Sequence, residues 1–246
     1  MKLFYHIGKY FYLVGKLFIR PEKFSMYRKQ SFRELLLIGL DSLGIVAIVS
    51  VFMGAVLTLQ VGINFVHPLI PNYLIGLTVR DTMMLEFSST IICLILAGKV
   101  GSNIASEIGT MRITEQIDAL EIMGVNSVSY LILPKLFGAI VFFPLLTLVS
   151  IILGIAGGLA VSLLTQVVTV HDYLDGLHMF FHPFYILYTL VKMLVYAFLI
   201  VSVSAYQGYY TNGGALEVGK SSTMAVVYSI ILVLIFNLII TQLMLT

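Results

Sequence analysis

The chain has 246 residues, of which 59% are hydrophobic and 11% are charged, with a mean hydropathy of +1.03 and a net charge of +2 at pH 7. So little polar surface cannot cover a water-soluble globule of this size, which excludes an ordinary soluble protein. Lipid must be the solvent for much of the chain.

Residues 1–29 are predicted to form an amphipathic helix that lies in the headgroup layer of the membrane. Lys2, Lys9, Lys16 and Lys23 recur every seven positions among aromatic and aliphatic residues, which places positive charge along one helical face. The alternative is a plain basic anchor that flanks the first membrane span. No small-residue cleavage site follows, so a cleaved signal peptide is not expected. Both interpretations keep this segment at the cytoplasmic surface.

Residues 30–246 are predicted to form one permease domain with five membrane spans, because a helix needs about 20 apolar residues to cross a bilayer. The apolar runs cover approximately residues 35–65, 73–97, 131–164, 183–206 and 223–245. The alternating pattern that is typical of β-barrel strands does not occur in them. The predicted fold class is therefore an all-α integral membrane protein.

The distribution of Lys and Arg predicts the orientation. Residues 66–72 and 165–182 contain neither type, whereas basic residues crowd the beginning of the chain: Lys2, Lys9, Lys16, Arg20, Lys23, Arg28, Lys29 and Arg33. By the positive-inside rule the N-terminus is cytoplasmic. The segments 98–130 and 207–222 are then cytoplasmic as well, and the C-terminus lies on the far side.

A few polar and small residues within the predicted spans are candidates for function. The ionisable ones are Asp41, Arg80, Asp81, Glu86 and Lys192. Such residues usually face a cavity, a partner or a transport path. Glu86 lies nearest the middle of its predicted span, whereas Asp41, Arg80 and Asp81 can equally lie near the membrane surface. Gly154 and Gly158 form a G-x-x-x-G pattern that allows close helix approach, either between two copies or within the chain.

The cytoplasmic segment 98–130 is predicted to contain a short amphipathic helix. Gly109 and Gly124 bound about three helical turns, and Ile113, Ile117 and Leu120 form one apolar stripe on them. The charged residues of the segment include Glu107, Arg112, Glu115, Asp118 and Glu121. A membrane subunit that receives force from a soluble motor needs such a helix. The alternative is a solvated loop helix without a partner.

Two patterns match ligand sites without the context that those sites require. Gly214–Ser221 fits the P-loop consensus, but a phosphate-binding loop needs an α/β domain, and here one span precedes and another follows. We therefore expect a cytoplasmic turn there. His171, Asp175, His178 and His182 could share one helical face and bind a metal, but the polar face of an amphipathic helix is the favoured interpretation. No metal site and no catalytic motif are predicted, which disfavours an intramembrane enzyme.

The segment Glu107–Val125 also resembles a known signature. Its sequence, EIGTMRITEQIDALEIMGV, is similar to the E-[LI]-G-x-M-R-x-[TS]-E-Q-[LI]-D-A-[LM]-x-x-M-[GA]-V motif of the MlaE/YrbE family of lipid ABC-transporter permeases. The resemblance covers roughly residues 30–245. It includes the stretches Phe52–Gln60, Leu96–Ser102, Pro134–Lys135, Pro144–Thr147 and Val218–Val227.

The resemblance implies a permease subunit that moves phospholipid or a related lipid between a bacterial inner membrane and an outer compartment. It further implies a homodimer, separate ATPase subunits that contact the Glu107–Val125 segment, and an MCE-domain lipid-binding protein on the far side. ATP and Mg²⁺ would act on the ATPase, with no cofactor bound by this chain and no nucleic acid as a partner. The alternative with the same topology is a non-transporting scaffold or assembly subunit.

The lipid path is expected to contain Glu86 together with residues of the first two spans, namely Phe52, Leu57, Leu59, Gln60, Tyr73 and Leu77. At one position the chain departs from the family, which often has an Arg-Glu pair in the second span where this chain has Leu85-Glu86. Arg80 is not expected to supply the missing cation. Six residues along a helix turn its side chain about 240° away from Glu86.

Overall fold

In the computed structural model the chain is helical, without strands, over the residues that the structure describes: 2–17, 24–65, 71–165 and 167–245. Five of the helices are long and apolar enough to cross a membrane. In chain order the helices of these first to fifth spans are Phe24–Asn64, of which Gln30–Asn64 is the candidate span, then Tyr73–Ile113, Ser127–Thr165, Phe184–Tyr209 and Ala215–Leu245. The predicted all-α class with five spans is confirmed.

Three shorter helices complete the described part of the chain. The N-terminal helix is Lys2–Leu17, the connecting helix between the second and third spans is Gln116–Ile122, and the loop helix between the third and fourth spans is Val170–His178. Of the basic residues at the beginning of the chain, Arg20 and Lys23 and the side chains of Lys2, Arg28 and Lys29 lie outside the described residues. So do residues 66–70.

Three span ends differ from the expected boundaries. The first span begins at Phe24 rather than near residue 35, the second ends at Ile113 rather than near 97, and the fifth begins at Ala215 rather than near 223. The polar extension of the second span stays helical because it is packed along its length. Gly101 lies against Ser204, and Gly208 lies against the backbone of Ala105. Hydropathy indicates where a helix can meet lipid, and packing decides where it ends.

The predicted three-turn helix between Gly109 and Gly124 is wrong. Gly109 lies inside the second span, in contact with Val218, so its small size serves close packing and does not begin a helix. The chain breaks instead at Glu115, whose φ of 61° is in the left-handed region. The connecting helix follows, and Gly124, with φ of 78°, ends it as a glycine after a helix commonly does.

The chain divides into two compact units. The first unit comprises Met1–Ser42, Cys93–Phe143 and Leu194–Thr246, and the second comprises Leu43–Ile92 and Pro144–Met193. In the first unit the N-terminal helix packs on the fourth span. Tyr10 Oη lies 2.7 Å from Ser202 Oγ, and the Lys9 ammonium lies 3.8 Å from the ring centroid of Tyr210.

The two faces of the N-terminal helix meet different surroundings. Lys9 and Lys16 are half-buried against the chain, whereas the aromatic side chains of Phe4, Phe11 and Tyr12 are exposed. Partial removal of the Tyr10 hydroxyl from water raises its pKa, although the bond to Ser202 acts in the opposite sense. The exposed face is therefore apolar and aromatic, as a helix inserted into a headgroup layer requires.

The second unit is built on close contacts between small residues and an apolar core. Gly54 of the first span lies directly against Gly154 of the third, and Gly158 lies against Tyr173. The G-x-x-x-G pattern thus packs helices within the chain. The core of this unit contains Leu57, Ile75, Val79, Met83, Val168 and Tyr173. Burial raises the pKa of the Tyr173 phenol to about 12.

Candidate functional site

Glu86 belongs to a polar cluster in the second unit. It lies in the stretch Met83–Ile91 of the second span, where the backbone widens into a π-helix, a conformation often found at functional sites. Its Oε1 accepts hydrogen bonds from Lys192 Nζ at 3.0 Å and from Tyr188 Oη at 3.4 Å. Its Oε2 accepts from Thr90 Oγ1 at 3.1 Å.

Lys192 supplies a cation to Glu86, although the preceding residue, Leu85, is uncharged. Its Nζ also donates to the Leu85 carbonyl at 3.2 Å and lies 4.6 Å from the ring centroid of Tyr188. A charge removed from water needs such partners, because an unpaired one costs several kcal/mol. The Lys192 side chain is 0% exposed and that of Glu86 is 39% exposed. The ammonium is therefore held by the protein, whereas the carboxylate can still be reached by a ligand.

Arg80 has a different function, as its angular distance from Glu86 predicted. Its guanidinium donates to the main-chain carbonyls of Leu177, Met179 and Phe180 at 2.8, 2.7 and 3.3 Å. Asp81 balances its charge at 2.7 Å. Leu177 lies in the last turn of the loop helix, and Met179 and Phe180 follow it. Phe180 has a φ of 49°, in the left-handed region, so the Arg80 guanidinium holds a strained helix end in place.

The other candidates for the lipid path differ in how far their side chains are exposed. Leu57 is 7% exposed and packs in the core of the second unit, so it is not available to line a path. Phe52 is 66% exposed, and Gln60 is exposed as well. The remaining candidates, Leu59, Tyr73 and Leu77, are half-buried. Leu57 therefore no longer fits the predicted path, and the other six residues of the set stay candidates.

A second polar cluster, in the first unit, was not predicted. Lys135 Nζ donates to Glu34 Oε1 at 2.7 Å and to Glu107 Oε2 at 2.6 Å, and the Lys135 side chain is 2% exposed. The triad of Glu34, Lys135 and Glu107 thus connects the first, second and third spans. Glu107 had been expected to contact an ATPase, and the structure gives its carboxylate a partner within the chain. The available signal was Glu34, a carboxylate that directly precedes the first apolar run and follows a stretch rich in basic residues.

Glu121, another residue of the expected ATPase contact, is also engaged within the first unit. Its Oε1 accepts from Ser127 Oγ and Tyr209 Oη, each at 2.9 Å, and Lys16 lies 3.8 Å away. The Ser127 hydrogen bond, aided by Tyr209 and Lys16, lowers the pKa of the Glu121 carboxyl. Arg112 and Asp118 form an ion pair at 2.6 Å.

The apolar surface of the connecting helix is not the predicted stripe. Ile117 is fully buried and Ile113 and Leu120 are half-buried. The exposed apolar side chains at its end are Ile122 and Met123, with 88% and 68% of their surface accessible. Two such residues beside the exposed Glu115 and the half-exposed Asp118 offer a partner an apolar contact with a charged rim.

Backbone conformation accounts for the two misleading motifs. Residues 215–221 of the P-loop match form the first turns of the fifth span and not a phosphate-binding loop. Gly219 lies inside that helix, so only Gly214 belongs to the expected turn. The loop helix ends at His178, which leaves His182 off its face. Within the described residues, no group of three or more His, Cys, Asp or Glu side chains could hold a metal ion.

Five apolar helices, with buried ion pairs between them, define a polytopic membrane protein of the transporter class. The family model described as "Permease MlaE" matches residues 31–243. The chain therefore belongs to the MlaE permease family, the non-catalytic permease subunits of ABC transporters.

Relatives from distant organisms agree with this assignment. A probable ABC transporter permease protein of Rickettsia bellii is 39% identical over 225 residues, which cover 92% of this chain and 85% of that protein. One from Synechocystis is 32% identical over 234 residues, with 95% and 89% covered. Protein TRIGALACTOSYLDIACYLGLYCEROL 1, chloroplastic, of Arabidopsis thaliana is 30% identical over 230 residues, with 94% and 65% covered. The resemblance on which the sequence prediction rested is confirmed.

Proposed function

We propose that this permease moves phospholipid or a related lipid between a bacterial inner membrane and an outer compartment. The observation that carries this proposal is the cluster of Glu86, Lys192 and Tyr188 within membrane-spanning helices. Charged groups of both signs are costly at this depth and usually serve a transported or bound polar group. A lipid headgroup is such a group, and its acyl chains suit the apolar surroundings.

The cluster is suited to exchange one partner for a headgroup. Glu86 is part-exposed, and its bond to Tyr188 Oη, at 3.4 Å, is longer than those from Lys192 and Thr90, at 3.0 and 3.1 Å. A headgroup ammonium or hydroxyl could take the place of that phenol while Lys192 stays paired. Phe52, Leu59 and Leu77 would then face the acyl chains, with Gln60 at the polar end. The Arabidopsis relative bears the name of a galactolipid, which supports a lipid substrate.

The driving force would come from separate ATPase subunits that bind the connecting helix, and ATP and Mg²⁺ would act there. Ile122 and Met123 would enter an apolar groove of the ATPase, with Asp118 and Glu115 at its rim. Closure of the motors would favour one of two arrangements of a permease homodimer. An MCE-domain protein would exchange lipid on the far side, with the N-terminus in the cytoplasm.

Substitution of Lys192 or Glu86 tests this function. The complex of the permease with its co-purifying ATPase is reconstituted in vesicles, and ATP-driven transfer of labelled phospholipid is measured. We expect Lys192→Met and Glu86→Gln each to lower transfer by at least about tenfold, the equivalent of one lost polar contact. The complex should still assemble, because Lys192→Met leaves only a part-exposed carboxylate, and after Glu86→Gln the Lys192 ammonium can still donate to the introduced amide oxygen and to the Leu85 carbonyl.

Lys220→Met is the matched control, since Lys220 is a largely exposed lysine of the fifth span that pairs with Glu217 at 2.6 Å. It should transfer lipid at the normal rate. Normal transfer by both cluster variants would remove the Glu86 cluster from the path. An assembled wild-type complex that hydrolyses ATP without moving any lipid would instead favour the scaffold function.

A further inference from the structure

A cavity of about 510 Å³ lies wholly within the first unit and has no place in the function proposed above. Its volume falls within the range of about 300–1,000 Å³ that is usual for small-molecule sites. Apolar side chains of two spans form part of its wall, and charged and hydroxyl groups form the rest. The residues that matter below are Glu34, Leu37, Asp41, Ser42, Lys99 and Lys135.

The charged groups of the wall are two carboxylates and two lysines, and Glu107 outside the wall adds a third carboxylate. Lys135 is shared by the carboxylates of Glu34 and Glu107, so this triad carries one negative charge in excess. Asp41 adds an exposed carboxylate. The hydrogen bond that the structure gives Lys99 Nζ goes to the main-chain carbonyl of Asp41, a neutral acceptor. The cavity therefore offers a positive group and negative groups to the same ligand.

A buried hydroxyl marks the site independently of these charges. Ser42 lines the cavity and is 0% exposed, and its Oγ has no hydrogen-bond partner among the residues that the structure describes. Buried polar groups of native proteins nearly always have a partner. A polar ligand in the cavity would provide one. Leu37, Ile38, Val100 and Ile104 supply the apolar wall that a lipid, unlike a fully polar solute, requires.

We propose that this cavity binds the headgroup of a zwitterionic glycerophospholipid of the ethanolamine type. The phosphate would face Lys99 and the ammonium would face Asp41 and the Glu34 side of the triad, so that both signs of charge are matched. An anionic headgroup without an ammonium would place the same phosphate at Lys99 and would leave Asp41 and the excess charge of the triad without a cation. This inference rests on the proposed lipid transport and adds to it a headgroup preference and a second lipid site.

Photo-crosslinking in vesicles tests the site. A benzophenone amino acid replaces Leu37 in the wall or, as the control, Leu40, a 55% exposed residue of the same span outside the wall. The complex is reconstituted with phosphatidylethanolamine or phosphatidylglycerol, and lipid adducts are identified by mass spectrometry. We expect the ethanolamine lipid to label position 37 at least about fivefold more than position 40 and more than the glycerol lipid does.

Two charge variants identify the contacts. Lys99→Met should lower ethanolamine-lipid labelling at position 37 by about fivefold, because the phosphate loses its partner. Asp41→Asn should lower it similarly but should not lower the weak phosphatidylglycerol labelling, because that headgroup has no ammonium for Asp41 to bind. Asp41 is exposed, so its variant keeps the test open if Lys99→Met does not assemble. Equal labelling at positions 37 and 40, or equal labelling by both lipids, would overturn the proposal.

Two further measurements distinguish this proposal from a free headgroup ligand and from the proposed transport function. An excess of soluble glycerophosphoethanolamine should not displace the label, and complete displacement would overturn a lipid occupant in favour of a free headgroup compound. Lipid transfer is measured in the same vesicles. Transfer without selective labelling at position 37 would reject the cavity site alone. Selective labelling without transfer would support the site and reject the proposed transport.

Discussion

The two units each contain a buried lysine held by glutamate, but the two lysines are neutralised differently. Lys135 in the first unit has two carboxylates, at 2.6 and 2.7 Å, whereas Lys192 in the second unit has one carboxylate at 3.0 Å and a main-chain carbonyl. Lys135 is thus more than neutralised by its own chain, as a structural connection between three spans would be. Lys192 belongs to a pair whose carboxylate remains accessible, as a binding site requires.

Loss of the Lys135 charge should have the largest effect on stability. Lys135→Met leaves Glu34, whose side chain is 9% exposed, without its cation, and breaking one partner of a buried pair costs about 3–5 kcal/mol. We expect a lower unfolding temperature in detergent and a poor yield of assembled permease. Thermal unfolding followed by fluorescence-detected chromatography measures both.

The double variant Lys135→Met, Glu34→Gln should recover part of the loss, because no buried charge is then left unpaired on the first span. Lys192→Met should be clearly more stable than Lys135→Met, since Glu86 is part-exposed and can be hydrated. Equal destabilisation by the two lysine variants would abolish the distinction between a structural and a functional pair.

The next largest effect should come from the exposed end of the connecting helix in the first unit. Ile122→Asp together with Met123→Asp removes the apolar contact proposed for the ATPase, at about 1.5–3 kcal/mol for each side chain that becomes buried on docking. ATPase retention on purification should fall, with the spans intact. The control is Leu216→Asp, the same change at a residue that is 74% exposed at the start of the fifth span. Loss of the ATPase from the control as well would show a non-specific effect.

The sequence predicted the features that depend on residues close together in the chain and missed the pairing of residues far apart in it. Five apolar runs and the Glu107–Val125 signature are local patterns, and the fold class and the family followed from them. Glu86 and Lys192 were each recognised as ionisable residues at membrane depth. Their pairing was not predicted, because 106 residues separate them and no local periodicity relates helices that far apart.

Two glycines also led to wrong predictions of where helices begin. Gly109 was interpreted as the start of a helix, and Gly219 as part of a turn, yet both lie inside spans. Glycine disfavours a helix through backbone entropy, but close packing can outweigh that cost, as the contact of Gly109 with Val218 does here. Glu34 was missed because the first span extends beyond its apolar run. Lys135 lies inside the third apolar run, and its partner Glu34 is 101 residues away, so no local pattern indicated their pairing.

The smallest effect concerns Glu121, which, unlike Glu86, lies outside the membrane-spanning segments and can be titrated directly. Its pKa in the folded chain is below the ordinary value of 4.5, chiefly because it accepts the Ser127 hydrogen bond. A carboxyl with a lowered pKa stabilises the fold above its unfolded-state pKa, and this contribution disappears as the pH falls through the folded-state value. Ser127→Ala should therefore lower the unfolding temperature at pH 7, and its curve should approach that of the wild type as the pH falls below the ordinary Glu value of 4.5. The difference at pH 7 should be below about 1 kcal/mol, because the Glu121 side chain is 44% exposed and solvent screens its interactions. Parallel curves that keep their separation down to pH 3 would show that the Ser127 hydroxyl acts through packing and not through the Glu121 charge.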